Sequence, residues 1–170
     1  MSSTVGWTWD GPGNMRTRRG QLPTLLGWDA MTPLDRLFAH HEIADLITRY
    51  AMLNDDGDHD GVAAMFTEDG RFVRPSGGDA IVGRDAIRAS YEGRPPRISR
   101  HLITNIVIDL LAEDEATARS TMVLYTAPPG ALPADANTPA LLGGFRDRLV
   151  KTDAGWRFAT REGFLDLKID

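Results

Sequence analysis

The chain reads as one α+β domain with a curved antiparallel sheet, and three features point there. Helical apolar spacing dominates residues 34–53, β-branched runs dominate residues 101–167, and the two kinds of segment are segregated along the chain rather than alternating. The length of 170 residues suits a single domain able to bury about 70% of its unfolded surface without a metal or disulfide staple.

Residues 1–33 are expected to form an N-terminal arm. Pro12, Pro23, Pro33 and five glycines break any long element, yet Trp7, Trp9 and Trp28 make the stretch unusually aromatic for a free tail. An arm lying on its own domain or on a neighbouring subunit accounts for both. From residue 34 to 170 the chain is expected to be the folded domain. Leu34, Leu37, Phe38, Ile43, Leu46, Ile47, Tyr50 and Leu53 recur at helical spacing, and Gly57 ends that helix. Asp58 is placed to cap a second, short helix carrying Val62, Ala63, Met65 and Phe66 on its apolar side. Residues 68–70 read as a turn and 71–74 as a short strand closed by Pro75. Residues 83–91 read as a third helix with Ala86, Ile87 and Tyr91 on one side.

Residues 101–111 and 117–126 read as paired strands around Glu113-Asp114. Residues 145–151 and 156–167 form a second pair around a turn ending at Gly155. Residues 127–144, with four prolines, read as a long irregular connection of the kind that serves as a lid or interaction loop.

Composition narrows the function. A net charge of −5 with interspersed signs provides no basic patch for nucleic acid. The absence of cysteine excludes disulfides, zinc thiolates and cysteine nucleophiles. No run approaches the roughly 18 apolar residues of a membrane helix. Arg18-Arg19 is followed by too short and broken an apolar stretch for an export signal, so a cytoplasmic location is expected. His40, His41 and His59 show no metal-binding spacing and are expected at the surface or near caps.

Several short motifs occur in an informative order. Tyr50-Ala51, then Asp55, then Gly57-Asp58 are followed by Met65-Phe66 with Asp69, by Gly83 with Ala86-Ile87, by Ser99-Arg100-His101 with Asn105, and by Gly144-Phe145-Arg146-Asp147 with Gly155-Trp156-Arg157. Together they resemble the SnoaL-like domain of the nuclear transport factor 2-like superfamily over roughly residues 38–166. The resemblance implies a cone-shaped sheet packed against N-terminal helices and enclosing an apolar pocket. The superfamily hosts dehydratases, isomerases, cyclases and plain binding subunits, so the site residues carry the functional reading.

The resemblance implies a catalytic set of Tyr50, Asp55 and His101. Helical spacing puts Tyr50 within the apolar face of the long helix and Asp55 on its edge. A carboxylate accepting from one ring nitrogen of His101 would fix its tautomer and leave the other as a base near neutral pH. Tyr50 would donate to a substrate oxygen that gains charge. For binding, strand alternation puts Asn105 beside His101. The resemblance further implies that Arg161 faces the cavity and holds an anionic group, and Phe66 and Asp147 complete the expected lining. In ketosteroid isomerases of the same fold, Tyr50 and Asp147 would match the oxyanion pair, but the proton-transferring Asp would fall at Arg74. That departure leaves His101 as the base, and Asp147 is expected to pair with Arg146, Arg148 or Arg161. Tyr125 falls opposite His101 if the intervening turn has two residues, and one extra residue reverses this.

The expectation is therefore a cofactor-independent lyase or isomerase, with dehydration as first choice and C–C cleavage possible. Its substrate would be a small hydrophobic cyclic or aromatic molecule, handled by a homodimer or homotrimer. The alternative is a non-catalytic ligand-binding or assembly subunit, such as the small subunit of a ring-hydroxylating dioxygenase.

Overall fold

The computed structural model describes residues 31–170. The expectations for Trp7, Trp9, Trp28 and the rest of residues 1–30 lie outside the described residues. Helix α1 spans Pro33–Asp56, capped by Thr32 in a reciprocal box with Asp35 and closed by Gly57 at φ 73°. Pro33 is thus the first helical residue and not the last breaker of an arm, a position where its missing N–H costs nothing. The inward stripe is Ala39, Ile43, Leu46, Ile47, Tyr50 and Ala51. Leu34, Leu37 and Phe38, expected on that stripe, are more than half exposed, because no described residue covers the first two turns.

Helix α2 (His59–Ala64) is capped by Asp58 as expected. Strand β1 then runs Phe66–Val73, so Phe66 starts a strand and does not extend the helix. Between Phe66 and Arg71 the pairing slips, and residues 68–70, expected as a turn, lie within β1 as an irregularity of the strand. A two-residue strand, β2 (Ile81–Val82), pairs with β1, and α3 spans Arg84–Glu92 with Ile87 and Tyr91 buried. Ala86 is exposed instead of buried. Four long strands follow, β3 (Ile98–Leu110), β4 (Glu115–Ala127), β5 (Ala140–Thr152) and β6 (Gly155–Ile169). The irregular connection is shorter than expected, covering residues 128–139, because β5 begins before its glycine pair. A Cβ on Gly143 or Gly144 would lie 2.0 Å from the Phe164 carbonyl or 2.1 Å from that of Ser120, so only glycine lets the strands approach there.

The strands form one curved, unclosed six-stranded sheet in the order β2-β1-β6-β5-β4-β3. It is mixed and not wholly antiparallel, since β1 runs parallel to β6. The helices and sheet bury Tyr50, Phe66, Phe72, Tyr91, Phe145 and Phe158 in one aromatic-rich core. No helix among the described residues is long and apolar enough to cross a membrane.

Two irregularities decide which side chains point inward. In β3 the pairing Thr104↔Thr121 is followed by Val107↔Arg119, which leaves one extra residue on β3. Asn105 sits in this bulge at φ 51°, a conformation that asparagine tolerates better than most residues. In β6 the pairing slips between Arg148↔Thr160 and Leu149↔Phe158. The extra residue there turns Trp156, Phe158 and Arg161 all inward, although strict alternation would separate Arg161 from the other two.

Candidate active site

A cavity of about 350 Å³ opens between the end of α1, the end of α3 and the inner faces of β3, β4 and β5. Its apolar wall includes Phe72, Met122, Leu124, Leu141, Phe145 and Leu165. Tyr50, Tyr91 and His101 are set into that wall.

Asp55 sits in the last turn of α1, where the helix meets the start of β3. Its Oδ1 lies 2.5 Å from His101 Nδ1, its Oδ2 accepts the His101 backbone N–H at 2.8 Å, and Ser99 Oγ donates to Oδ1 at 2.9 Å. The side chains of His101 and Asp55 are only 5% and 10% exposed, so the contact is shielded from water without being sealed from the cavity. Burial alone would raise the Asp55 carboxyl, but the ring and backbone hydrogen bonds from His101, its charge and the Ser99 hydroxyl together hold it below the ordinary carboxylate value. With Nδ1 committed to Asp55, Nε2 is the ring nitrogen left for chemistry.

Tyr50 hydrogen-bonds through its hydroxyl to the hydroxyl of Tyr91, and both phenols are fully buried. Burial pushes both phenols above their ordinary value, Tyr91 the more strongly because Tyr50 adds to the effect. They remain neutral donors at any physiological pH. Beneath Tyr50 lies Arg161, its guanidinium carbon 4.1 Å from the Tyr50 ring centre and 3.8 and 4.4 Å from those of Phe145 and Phe158. That positive charge opposes the upward push on Tyr50.

Tyr50 and His101 therefore line one cavity, with Asp55 held behind His101 by its hydrogen bond to the ring, and the other expected residues do not line it. Asn105 is turned out to solvent by the β3 bulge, which shifts the inward positions to Ile106 and Ile108. Phe66 is fully buried behind Tyr50, packed edge-on to its ring, and is a core residue. Arg161 and Asp147 pair with each other across β5 and β6 at 2.9 Å and, unlike the tyrosine pair, neither lines the cavity. Burial raises Asp147 to about 6 despite the opposing guanidinium. Tyr125 pairs with Arg100 and points away from the cavity, while Leu124 pairs with His101 and points into it. The turn after β3 carries one residue more than two, and the β3 bulge reverses the face a second time.

Tyr91, Asn54, Arg74, Arg94 and Arg97 also line the cavity, and none of them is in the set expected from the sequence. Tyr91 had a usable signal, since a tyrosine on the apolar side of a short helix needs a hydroxyl partner. Arg94-Pro95-Pro96-Arg97 is conspicuous in the chain, but only the fold brings it to the mouth of the cavity.

The comparisons with known proteins agree with this architecture. A candidate scytalone dehydratase from Novosphingobium aromaticivorans is 27% identical, with a TM-score of 0.70 over 82% of this chain and 91% of that one. An NTF2-like protein with a cystatin-like fold from the same species is 28% identical, with a TM-score of 0.64 over 78% and 84%. Rv3472 of Mycobacterium tuberculosis, described as of unknown function, is 32% identical, with a TM-score of 0.64 over 81% and 78%. No curated protein is similar enough to match. The SnoaL-like domain family matches residues 35–162. With that match over most of its length and neighbours of NTF2-like fold, the chain belongs to the SnoaL-like domain family.

Proposed function

We propose that this chain is a cofactor-independent lyase, with dehydration of a small hydrophobic cyclic substrate as its reaction. The observation that carries the reading is the Asp55–His101 hydrogen bond at the wall of an apolar cavity that also holds a tyrosine pair. Asp55 keeps the His101 proton on Nδ1, and Nε2 removes a proton from carbon next to a substrate carbonyl. The electrons move onto the carbonyl oxygen, where Tyr50 or Tyr91 donates to the developing negative charge. Collapse of the enolate forms a carbon–carbon double bond and breaks the neighbouring C–O bond. The departing hydroxide takes the proton held by His101 and leaves as water. The same machinery suits double-bond isomerisation, or retro-aldol C–C cleavage in which His101 takes the β-hydroxyl proton, that oxygen becomes a carbonyl, and the electrons of the broken C–C bond form the enolate.

A similarity to a candidate scytalone dehydratase supports the same class of chemistry. The test is a panel of cyclic β-hydroxyketones, followed by the absorbance of the conjugated product, with wild type and His101→Ala. Turnover by wild type and a loss of about 10²- to 10⁴-fold in kcat for the variant are expected. Full activity in His101→Ala would overturn the mechanism. No turnover of any panel member would favour the alternative of a binding or assembly subunit.

A further inference from the structure

The charge lining the cavity is of one sign. The chain as a whole carries 24 acidic and 19 basic residues, yet among the described residues no Asp or Glu lines this cavity, whereas Arg74, Arg94 and Arg97 all do. Among the described residues none of these three guanidiniums makes an ion pair with a carboxylate. Arg94 places its guanidinium carbon over the Tyr91 ring, 3.9 Å from its centre, which brings its charge next to the tyrosine pair. Arg74 follows β1 and anchors one nitrogen on the Ser90 carbonyl at 3.0 Å, and its buried Nε has no hydrogen-bond partner among the described residues. Arg94 and Arg97 flank Pro95-Pro96, a pair that fixes its backbone and lowers the entropy lost when the loop holds a ligand. Partial desolvation and the neighbouring Arg94 charge lower Arg97 from its ordinary value against the pull of the Asp55 carboxylate, and an anion between the two arginines would relieve their repulsion. Asp55, Asp56 and Glu92 line an adjoining groove that shares Arg94 and Arg97, but none of the three lines the cavity itself, and Asp55 is committed to His101 and Ser99.

We propose that Arg74, Arg94 and Arg97 form an oxyanion-binding mouth, so that the substrate is a hydrophobic ring compound bearing a carboxylate or phosphate. The inference deepens the reading of the dyad as catalytic and rests on it for the word substrate. Its anion would sit among the guanidiniums while its apolar body fills the wall of Phe72, Met122, Leu141 and Phe145 toward His101. Arg161 cannot play this part, being enclosed by three rings and bonded to Asp147.

The test is calorimetric titration of the full chain with 2-naphthoate, 2-naphthyl phosphate and neutral 2-naphthamide. At least one anion should bind about tenfold or more tighter than the amide at low salt, and that advantage should shrink as salt rises. Which anion binds tighter names the source of the negative charge. In Arg94→Gln/Arg97→Gln the advantage should fall to about twofold or less, and Arg94→Lys/Arg97→Lys should recover part of it. Should the double Gln variant fail to fold by circular dichroism, Arg97→Gln alone serves, because that side chain is exposed, and a loss of at least about threefold is expected. Equal binding of amide and anions, an unchanged preference in the variants, or no binding of any probe would overturn the proposal. His101→Ala should keep the preference. Loss of preference with an active dyad therefore sinks only the oxyanion mouth, and a preserved preference with full activity in His101→Ala sinks only the catalytic reading.

Discussion

Asp55 and Asp147 are both carboxylates held against a cationic or ionisable partner, at 2.5 and 2.9 Å, yet the molecule treats them in opposite ways. Asp55 ends a helix, accepts three hydrogen bonds and backs the His101 ring that lines the cavity, and those bonds favour its ionised form. Asp147 lies mid-strand, accepts one hydrogen bond from Arg161, leaves Oδ1 unpartnered and is fully enclosed, so burial favours its neutral form. The difference is one of donors and access. A carboxylate supplied with donors beside a cavity can orient a base, and one sealed among aromatic rings can only stabilise the charge it was buried with.

The largest effect is expected from Asp147→Ala. Removing the carboxylate leaves Arg161 buried and unpaired, which should cost about 3–5 kcal/mol in urea unfolding. A loss under about 1 kcal/mol would mean that water reaches the guanidinium.

The pH dependence of stability separates the two carboxylates next. Asp147 binds its proton more tightly folded than unfolded, so the fold should lose stability as pH rises from about 4 to about 6, by roughly 2 kcal/mol in wild type. Asp55 works in the other direction. Its contribution is complete above about pH 4 and is lost as pH falls through its lowered folded value. Thermal melts at stepped pH should show the slope between 4 and 6 disappear in Asp147→Asn, and a slope unchanged in that variant would assign it to another group.

Asp55→Asn tests the opposite arm of the comparison. It should cut kcat about thirtyfold on a turned-over substrate, about 2 kcal/mol, while stability at pH 7 falls by about 1 kcal/mol or less. A large stability loss with unchanged kcat would make Asp55 a structural helix end like any other. Tyr91→Phe should have the smallest effect, about tenfold in kcat, since Tyr50 keeps its hydroxyl but loses its partner. An unchanged rate would leave Tyr50 as the sole donor.

The sequence carried the helices and the strand pairs because each rests on local pattern. Helical spacing placed Tyr50 within the apolar face and Asp55 at its edge, and the motif order shared with a family singled out those two together with His101. The errors come from residues whose orientation depends on a single inserted residue. The β3 bulge ejects Asn105 while leaving His101 inside, and the β6 bulge draws in Arg161, where Asp147 rather than a ligand meets it. No periodicity predicts a bulge, because it breaks the period on which the reading depends. The parallel pairing of β1 with β6 and the arginines on the 93–97 loop were illegible for a related reason. Both follow from where distant segments meet.

The most direct test of the central claim is the tautomer of His101, read from its imidazole ¹⁵N shifts above its titration range, with the signals assigned by their loss in His101→Ala. Wild type should show the proton on Nδ1 and a bare Nε2, and Asp55→Asn should shift the population toward Nε2–H. A wild-type ring already protonated at Nε2, or a tautomer indifferent to Asp55, would contradict the account of His101 as a base oriented by that carboxylate.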